Sequence, residues 1–218
     1  MVKKFGKQSF LKRAVILAIV SGCVLFIFYA FSFLVKGGRL HNFDFDMTVH
    51  LSDKTPKKFD PYFSILSLTG SFEVTIVILT ALIFLRRKLS AFLVVGVFCL
   101  AHLVELFGKS FLNHPPPPFM FFRYTLGFEF PTSYIRTGNS YPSGHAMRMI
   151  FLFIVGVWIL FGLKKMKIEL KYVIFAGAIA YTALMLLSRV VLGEHWASDV
   201  IGGSILGASF GTLSLMFL

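Results

Sequence analysis

The polar groups that could do chemistry in this chain lie in two short segments, 141–145 and 188–199, each at the edge of a long apolar stretch. The second segment contains Arg189, His195 and Asp199, and the first ends in another histidine. A charged side chain at the centre of a membrane helix costs about 2.5–3.5 kcal/mol on insertion scales, so such groups are seldom kept there without a use. Histidine, carboxylate and arginine together are suited to handling a phosphate, because imidazole transfers protons and guanidinium binds phosphate oxygens.

The spacing of these residues favours a single site. His195 and Asp199 are four residues apart, which places them on one face of a helix. Asp199 can accept a hydrogen bond from one imidazole nitrogen and so present the other nitrogen to a substrate. Ser143 and Gly144 begin another helix, where free backbone N–H groups favour an anion. His145, in the same turn, could donate a proton to a leaving group.

The composition places the chain in a membrane. Hydrophobic residues make up 56% of the 218 residues and charged residues only 15%, whereas a soluble domain has about 25% charged residues. Stretches with few charges recur at the length of roughly 20 residues that spans a bilayer. We therefore predict an all-α fold, a polytopic membrane helical bundle in a single domain, 1–218. Six transmembrane helices are predicted, at 14–35, 61–85, 89–108, 143–163, 172–192 and 196–218.

Basic residues are unevenly distributed between the two sides of this bundle. Twelve lie in short segments on the side of the termini, including 1–13, and eight lie in two longer loops, 36–60 and 109–142, on the other side. Basic residues in short segments mark the cytoplasmic side. We therefore predict a cytoplasmic N-terminus, two outer loops and a site on the extracytoplasmic side of the plasma (inner) membrane. A nucleic-acid partner is not indicated, because no basic stripe alternates with polar surface.

Two strings carry a resemblance to a known family. PSGH at 142–145 and SRVVLGEHWASD at 188–199 match the second and third signature motifs of the type-2 phosphatidic acid phosphatase superfamily at every position. The six-helix plan resembles the bacterial membrane branch of that superfamily, which includes phosphatidylglycerophosphate and undecaprenyl pyrophosphate phosphatases. The resemblance implies a membrane phosphatase that uses neither a metal nor another cofactor.

The resemblance also implies a role for each motif residue. His195 is expected to attack phosphorus and form a phosphohistidine, with Asp199 orienting its ring. His145 is expected to protonate the leaving alkoxide. Four residues are expected to hold the phosphate: Lys109, Ser143, Gly144 and Arg189.

The first motif departs from the family pattern of a lysine, six residues and then Arg-Pro. Lys109 is present, but Pro116 stands where the arginine is expected. A charge-assisted hydrogen bond contributes about 1.5–3 kcal/mol, so its loss would weaken catalysis or shift substrate choice. We predict that the long outer loop supplies a substitute, in the order of preference Arg136, Arg123 and His114.

Other polar residues have a structural or an open interpretation. Glu105 is expected to pair with Lys109, four residues later, and His102 is expected to be structural. Arg148 could line the site or pair with a carboxylate, and the sequence does not separate the two. Three aspartates of the first outer loop are expected to be solvated: Asp44, Asp46 and Asp53.

The leading functional hypothesis is an integral membrane lipid phosphatase that hydrolyses a phosphomonoester or pyrophosphate of a lipid. The resemblance makes undecaprenyl pyrophosphate, phosphatidylglycerophosphate and phosphatidate candidate substrates. Two alternatives stay open: a lipid phosphotransferase that uses the same phosphohistidine, and a weakened homologue that binds or transports lipid. The expected partners are the lipid phosphate and membrane lipid, with no obligate protein partner.

Overall fold

The computed structural model describes residues 2–86, 89–131 and 138–218. Regular structure in these ranges is entirely helical, which confirms the predicted all-α fold. The α-helices are α1 (Val2–Lys36), α2 (His41–Lys54), α3 (Asp60–Leu68), α4 (Phe72–Arg86), α5 (Leu93–Phe111), α6 (Gly144–Gly162), α7 (Ile168–Val191) and α8 (Ala197–Ser214). Short 3-10 helices lie at Lys57–Phe59, Leu89–Phe92, Phe119–Phe121 and Leu215–Phe217.

Five segments of the described chain are long and apolar enough to cross a bilayer as single spans. These segments are Leu11–Lys36, Leu89–Phe111, Gly144–Gly162, Ile168–Val191 and Ala197–Phe217. The sixth predicted span, 61–85, consists of two helices, α3 and α4, with a bend of 53° between them. The predicted total of six is reached when this bent pair is counted as one span.

The break between α3 and α4 has a local cause in the sequence Thr69-Gly70-Ser71. The amides of these three residues bond to carbonyls three residues earlier, and the α-helical pattern stops there. A helix end leaves carbonyl groups without helical partners. The Gly70 carbonyl finds its partner in the Arg148 side chain, whose Nε donates to it at 2.7 Å. The break therefore ties the second predicted span to α6.

Helices α6 and α8 pack with their backbones unusually close. A side chain at Gly203 would collide with the Ser143 carbonyl, and one at Gly207 would collide with the Met147 carbonyl. Small residues allow such an approach between membrane helices. The interior around this contact is apolar and includes the fully buried Phe98, Met147, Phe151, Val155 and Leu206. The close packing brings the beginnings of α6 and α8 together.

The two ends of the bundle differ in chemistry. At one end, the C-terminal ends of α5 and α7 meet the beginnings of α6 and α8, as the sequence predicted for the polar clusters. At the other end, Arg13 of α1 donates to the Leu215 carbonyl at 2.6 Å. The cytoplasmic assignment of that end stays a prediction.

The first outer loop, 36–60, contains helix α2, which was not expected. Asp44 on this helix is only 2% exposed, so the prediction of a solvated side chain was wrong for this residue. Its carboxylate accepts hydrogen bonds from the backbone N–H and the hydroxyl of Ser198, both at 2.7 Å. These bonds anchor α2 to the first turn of α8. Asp46 and Asp53 are exposed, in agreement with the sequence interpretation.

Candidate active site

A cavity of about 620 Å³ opens where the four helix ends meet. Its walls combine apolar side chains with a concentration of charged and titratable groups. The latter include Glu105, Lys109, His145, Arg148, Arg189, Glu194 and His195. The structure therefore brings the two motif histidines and two of the predicted phosphate ligands into one space.

His195 and Asp199 form the pair that their spacing predicted. His195 Nδ1 lies 3.3 Å from Asp199 Oδ2, and the same oxygen accepts the Trp196 backbone N–H at 3.0 Å. Asp199 is fully buried and His195 is 8% exposed. Because Nδ1 faces the carboxylate, Nε2 is the ring nitrogen left for the cavity. Burial, followed by the charge of Arg189, lowers the pKa of His195 to about 4 despite the bond to Asp199, so the ring is neutral at neutral pH.

His114 shares the Asp199 carboxylate with His195. Its Nδ1 lies 2.9 Å from Asp199 Oδ1, and its Nε2 lies 3.8 Å from Asp44 Oδ2. Burial favours the neutral ring, but the bond to Asp199 and the charges of Asp199 and Asp44 outweigh it and raise the pKa of His114 above its ordinary value. His114 and His195 therefore contact the two oxygens of one carboxylate.

The first-motif loop that carries His114 is held by main-chain contacts on both sides. Ser140 donates to the His114 carbonyl through its backbone N–H at 2.8 Å, and Asn139 accepts the His114 N–H at 3.1 Å. Trp196 Nε1 donates to the Pro115 carbonyl at 2.8 Å. Because Trp196 directly follows His195, the loop and the start of α8 are positioned together.

Arg189 lies in the cavity wall with a carboxylate beside it. Its NH1 contacts both Glu194 Oε2 and Ser67 Oγ, and the Ser67 hydroxyl donates to the same glutamate oxygen at 3.2 Å. Burial raises the pKa of Glu194 above its usual range. A carboxylate on an arginine fork uses the donor groups that a phosphate oxygen would use. The contact of Glu194 with the Arg189 guanidinium was not predicted from the sequence.

Lys109 forms the ion pair that its spacing from Glu105 predicted, with Nζ 2.9 Å from Oε1. Glu105 is buried and has two further cationic or titratable neighbours. His102 Nδ1 lies 2.9 Å from its Oε2, and Arg148 NH1 lies 3.7 Å from the same oxygen. The His102 contact agrees with the structural role expected from the sequence. Glu105 thus holds three side chains at the floor of the cavity.

Protein groups contact the polar atoms at the start of α6. Ser143 is the N-cap residue, and its hydroxyl accepts the Ala146 N–H at 3.4 Å. The Ser143 N–H donates to the Asp199 carbonyl at 3.0 Å. The Glu105 carboxylate lies so close to Gly144 that any side chain there would collide with it. Gly144 therefore permits the close approach of the Glu105 carboxylate, and its role in binding phosphate stays a prediction.

Arg148 lines the cavity and also pairs with a carboxylate. Both interpretations that the sequence left open are therefore correct. Arg148 is 8% exposed. Its NH2 lies 3.2 Å from His145 Nδ1, in addition to the Gly70 and Glu105 contacts described above. The long-range contact with Gly70, 78 residues away, gave no signal in the sequence.

The structure bears differently on the three residues predicted to replace the missing first-motif arginine. Arg136, the first choice, lies outside the described residues. Arg123 binds the Asp60 carboxylate at 2.6 and 3.1 Å and the Ser52 and Thr55 carbonyls at 2.9 and 2.8 Å. It clamps the outer loops together and lies apart from the described cavity wall, so the second choice was wrong. His114 supports Asp199 from behind, so the third choice was wrong as well.

Histidine and carboxylate side chains such as those of the cavity can also bind metal ions. Within the described ranges, no group of three or more His, Cys, Asp or Glu side chains is arranged to hold a metal ion. A metal-independent reaction stays a prediction from the resemblance.

The helical bundle and the motif histidines at its cavity define a class of membrane protein. The chain belongs to the PAP2 superfamily, whose family model matches residues 88–218. The match begins before α5 and therefore covers the four helices whose ends meet at the cavity.

Solved structures show the same fold over most of the chain. A PAP2-type phosphatidylglycerolphosphate phosphatase from Bacillus subtilis is 20% identical, with a TM-score of 0.71 over 89% of this chain and 94% of the other. LpxE from Aquifex aeolicus is 21% identical, with a TM-score of 0.59 over 79% of this chain and 94% of the other. A comparison with curated protein sequences gave no significant match. The fold is thus that of integral membrane phosphatases of the PAP2 superfamily.

Proposed function

We propose that this protein is an integral membrane lipid phosphatase that transfers a phosphoryl group from a lipid to His195 and then to water. One observation carries the proposal. His195 turns Nδ1 to Asp199 at 3.3 Å, and its ring lies in the wall of a cavity that also contains Lys109 and Arg189. A neutral imidazole with an oriented lone pair is a nucleophile, and the two cations suit the oxygens of a transferred phosphoryl group.

The proposed reaction has two half-reactions. In the first, His195 Nε2 bonds to phosphorus while the bond from phosphorus to the leaving oxygen breaks. The positive ring that results is stabilised by Asp199, and His145 assists departure of the leaving oxygen. In the second, water attacks phosphorus, the phosphorus–nitrogen bond breaks and its electron pair returns to His195. One proton of the water stays on the phosphate, and the other ends on the leaving oxygen when that oxygen is an alkoxide. The products are the dephosphorylated lipid and inorganic phosphate.

The apolar part of the cavity wall supports a lipid as the substrate. Leu106, Phe119 and Phe122 line the cavity and are also at least 37% exposed at the surface of the bundle. An acyl or isoprenoid chain could lie along them while its phosphate reaches the charged groups. Undecaprenyl pyrophosphate, phosphatidylglycerophosphate and phosphatidate are the proposed substrates, and the solved relative from Bacillus subtilis is itself a phosphatidylglycerolphosphate phosphatase.

The proposal is tested by phosphate release from these three lipids with purified protein. The wild type is expected to release phosphate from at least one of them, and His195→Ala is expected to lose at least about three orders of magnitude in turnover. His50→Ala, at an exposed position of α2, is the matched control and should retain activity. Release of lipid product without inorganic phosphate would indicate the phosphotransferase, and equal turnover by His195→Ala would contradict the proposal.

The proposed orientation places the site on the extracytoplasmic side of the plasma membrane. It rests on the excess of basic residues in the short segments at the opposite end. A cysteine introduced at Thr137 is expected to react with an impermeant thiol reagent in intact cells, and one introduced at Lys165 is not. The reverse pattern would overturn the orientation.

A further inference from the structure

Arg148 is held rigidly by three different elements of the fold. On α6 it lies one turn after His145, and its Nε donates to the Gly70 carbonyl at the α3–α4 break. Its NH1 lies 3.7 Å from Glu105 Oε2 on α5, and its NH2 lies 3.2 Å from His145 Nδ1. A planar guanidinium with these contacts has little freedom to turn away. The family motifs do not include this position.

The contact between Arg148 and His145 decides where the imidazole carries its proton. A guanidinium has only donors and stays protonated in proteins. His145 Nδ1 must therefore accept, because a proton on it would set two N–H groups against each other. The single proton of the neutral ring then lies on Nε2.

The other charged neighbours of His145 act in the same direction. Two other cations line the same cavity, Lys109 of α5 and Arg189 of α7, and nearby positive charges disfavour a second positive charge on this ring. Glu105, a carboxylate close to the start of α6, is already shared among Lys109, His102 and Arg148. His145 is thus equipped to donate a hydrogen bond from Nε2 but not to hold an extra proton that it could give away.

The two kinds of lipid substrate differ in their need for that proton. A phosphomonoester of a lipid alcohol loses an alkoxide, a base comparable to the hydroxide of water, whose pKa is about 15.7. A lipid diphosphate that is cleaved at its terminal phosphorus loses a phosphate monoester, whose second pKa is about 6. The alkoxide needs a proton in order to leave, whereas the phosphate leaves as a stable anion.

We propose that Arg148 makes this enzyme selective for lipid diphosphates over lipid monophosphates, by keeping His145 as a neutral hydrogen-bond donor; this rests on the proposed phosphatase function. His195 Nε2 bonds to the terminal phosphorus and the bond to the bridging oxygen breaks. The electron pair stays on that oxygen, which becomes an oxygen of the lipid monophosphate product. His145 donates a hydrogen bond to it and keeps its proton. Arg148 is thus a positioning residue that sets leaving-group specificity, and its charge compensates in part for Pro116.

The experiment compares saturating turnover on farnesyl diphosphate and farnesyl monophosphate, which share one chain. The wild type is expected to favour the diphosphate by about a hundredfold or more, the lower range of what general acid catalysis contributes. Arg148→Gln offers a carbonyl that can accept from Nδ1–H, so His145 can hold two protons. This variant should narrow the preference about tenfold. Arg148→Lys keeps a donor-only partner and should keep the preference.

Both rates come from one preparation, so loss of folded protein lowers them together and leaves their ratio unchanged. Arg123→Gln, a change at a partly buried arginine away from the cavity, is the matched control for this effect. Equal wild-type turnover on the two lipids, or an unchanged ratio in Arg148→Gln, would overturn the inference while the phosphatase function stands. Phosphate release from neither lipid nor from the three proposed substrates would overturn the function itself.

Discussion

Two histidines stand at the beginnings of neighbouring helices, and their partners are opposite in kind. His195, just before α8, turns Nδ1 to the Asp199 carboxylate, whereas His145, in the first turn of α6, turns Nδ1 to the Arg148 guanidinium. A carboxylate accepts and a guanidinium donates. The proton of the neutral ring therefore lies on Nδ1 in His195 and on Nε2 in His145. One ring presents a lone pair to the cavity and the other an N–H.

The difference shows that the partner, rather than the histidine itself, sets the chemistry of each ring. Further contacts hold each of these two partners, Asp199 and Arg148, in place. Asp199 is held by His114 at 2.9 Å, which lies between two carboxylates. Arg148 is held by the Gly70 carbonyl at 2.7 Å. Each ring is thus oriented by a side chain that is fixed in turn by a distant segment.

The largest effect is expected when the partner of His195 changes from a hydrogen-bond acceptor to a donor. In Asp199→Asn, the amide N–H₂ can donate to Nδ1, so the ring proton moves to Nε2 and the lone pair no longer faces phosphorus. A loss of about three to four orders of magnitude in kcat is expected, the size seen when the analogous carboxylate of a serine protease triad becomes an amide. Asp46→Asn, an exposed site on α2, should change little. A loss below tenfold would show that the tautomer is not controlled by Asp199.

The cations proposed to bind the substrate phosphate offer a second test. Arg136 stays the leading candidate to supply the charge that Pro116 lacks. Arg136→Ala is expected to lower turnover tenfold to a hundredfold, roughly 1.4–3 kcal/mol of transition-state stabilisation, and Pro116→Arg should partly restore it. Arg39→Ala, at an exposed arginine of the first outer loop, is the control. If Arg136→Ala keeps full activity, Arg148 would be the cation that compensates for the arginine missing at Pro116.

A smaller effect is expected at His114, which contacts the same carboxylate as His195. His114→Ala removes a hydrogen bond to the Asp199 carboxylate, and such bonds contribute about 1–1.5 kcal/mol, so turnover should fall about tenfold. Steady-state kinetics on the best lipid substrate would measure this. Unchanged turnover would mean that His114 is not needed to orient Asp199.

His114 also makes a prediction about stability and pH. Its pKa is raised in the folded chain because Asp199 binds it and Asp44 lies nearby, so its contribution to stability is full below the unfolded pKa of about 6.5. That contribution is lost as the pH rises through the raised folded value. The difference in Tm between wild type and His114→Gln should therefore be larger at pH 6 than at pH 9. An equal or opposite trend would refute the ionic role of this histidine.

The smallest effect on chemistry is expected at Arg123. Arg123→Gln removes the cationic partner of the buried Asp60 and should lower Tm clearly, because an uncompensated buried charge is destabilising. Turnover per folded molecule should stay within about twofold, since the side chain binds the outer loops and not the cavity. A tenfold loss of turnover at unchanged Tm would return Arg123 to the list of phosphate ligands.

What the sequence could predict depended on how far apart the interacting residues lie. The pairs His195–Asp199 and Glu105–Lys109 follow from helical spacing, and the charge-poor stretches predicted the spans. The contacts of His114 with Asp199, 85 residues apart, and of Asp44 with Ser198, 154 apart, depend on tertiary packing. Hydropathy also gave no sign of the α3–α4 break, because Thr69, Gly70 and Ser71 interrupt the helix without introducing a charge.

The most direct test of the account is to locate the phosphoryl group on the enzyme itself. Purified protein would be mixed with a ³²P-labelled lipid diphosphate, quenched in alkali within milliseconds and digested for mass spectrometry and phosphohistidine isomer analysis. If the two rings carry their protons as assigned, the phosphoryl group will be found on Nε2 of His195 and not on His145. Phosphorylation of His145, or attachment through Nδ1 of His195, would contradict the assignment of the two rings.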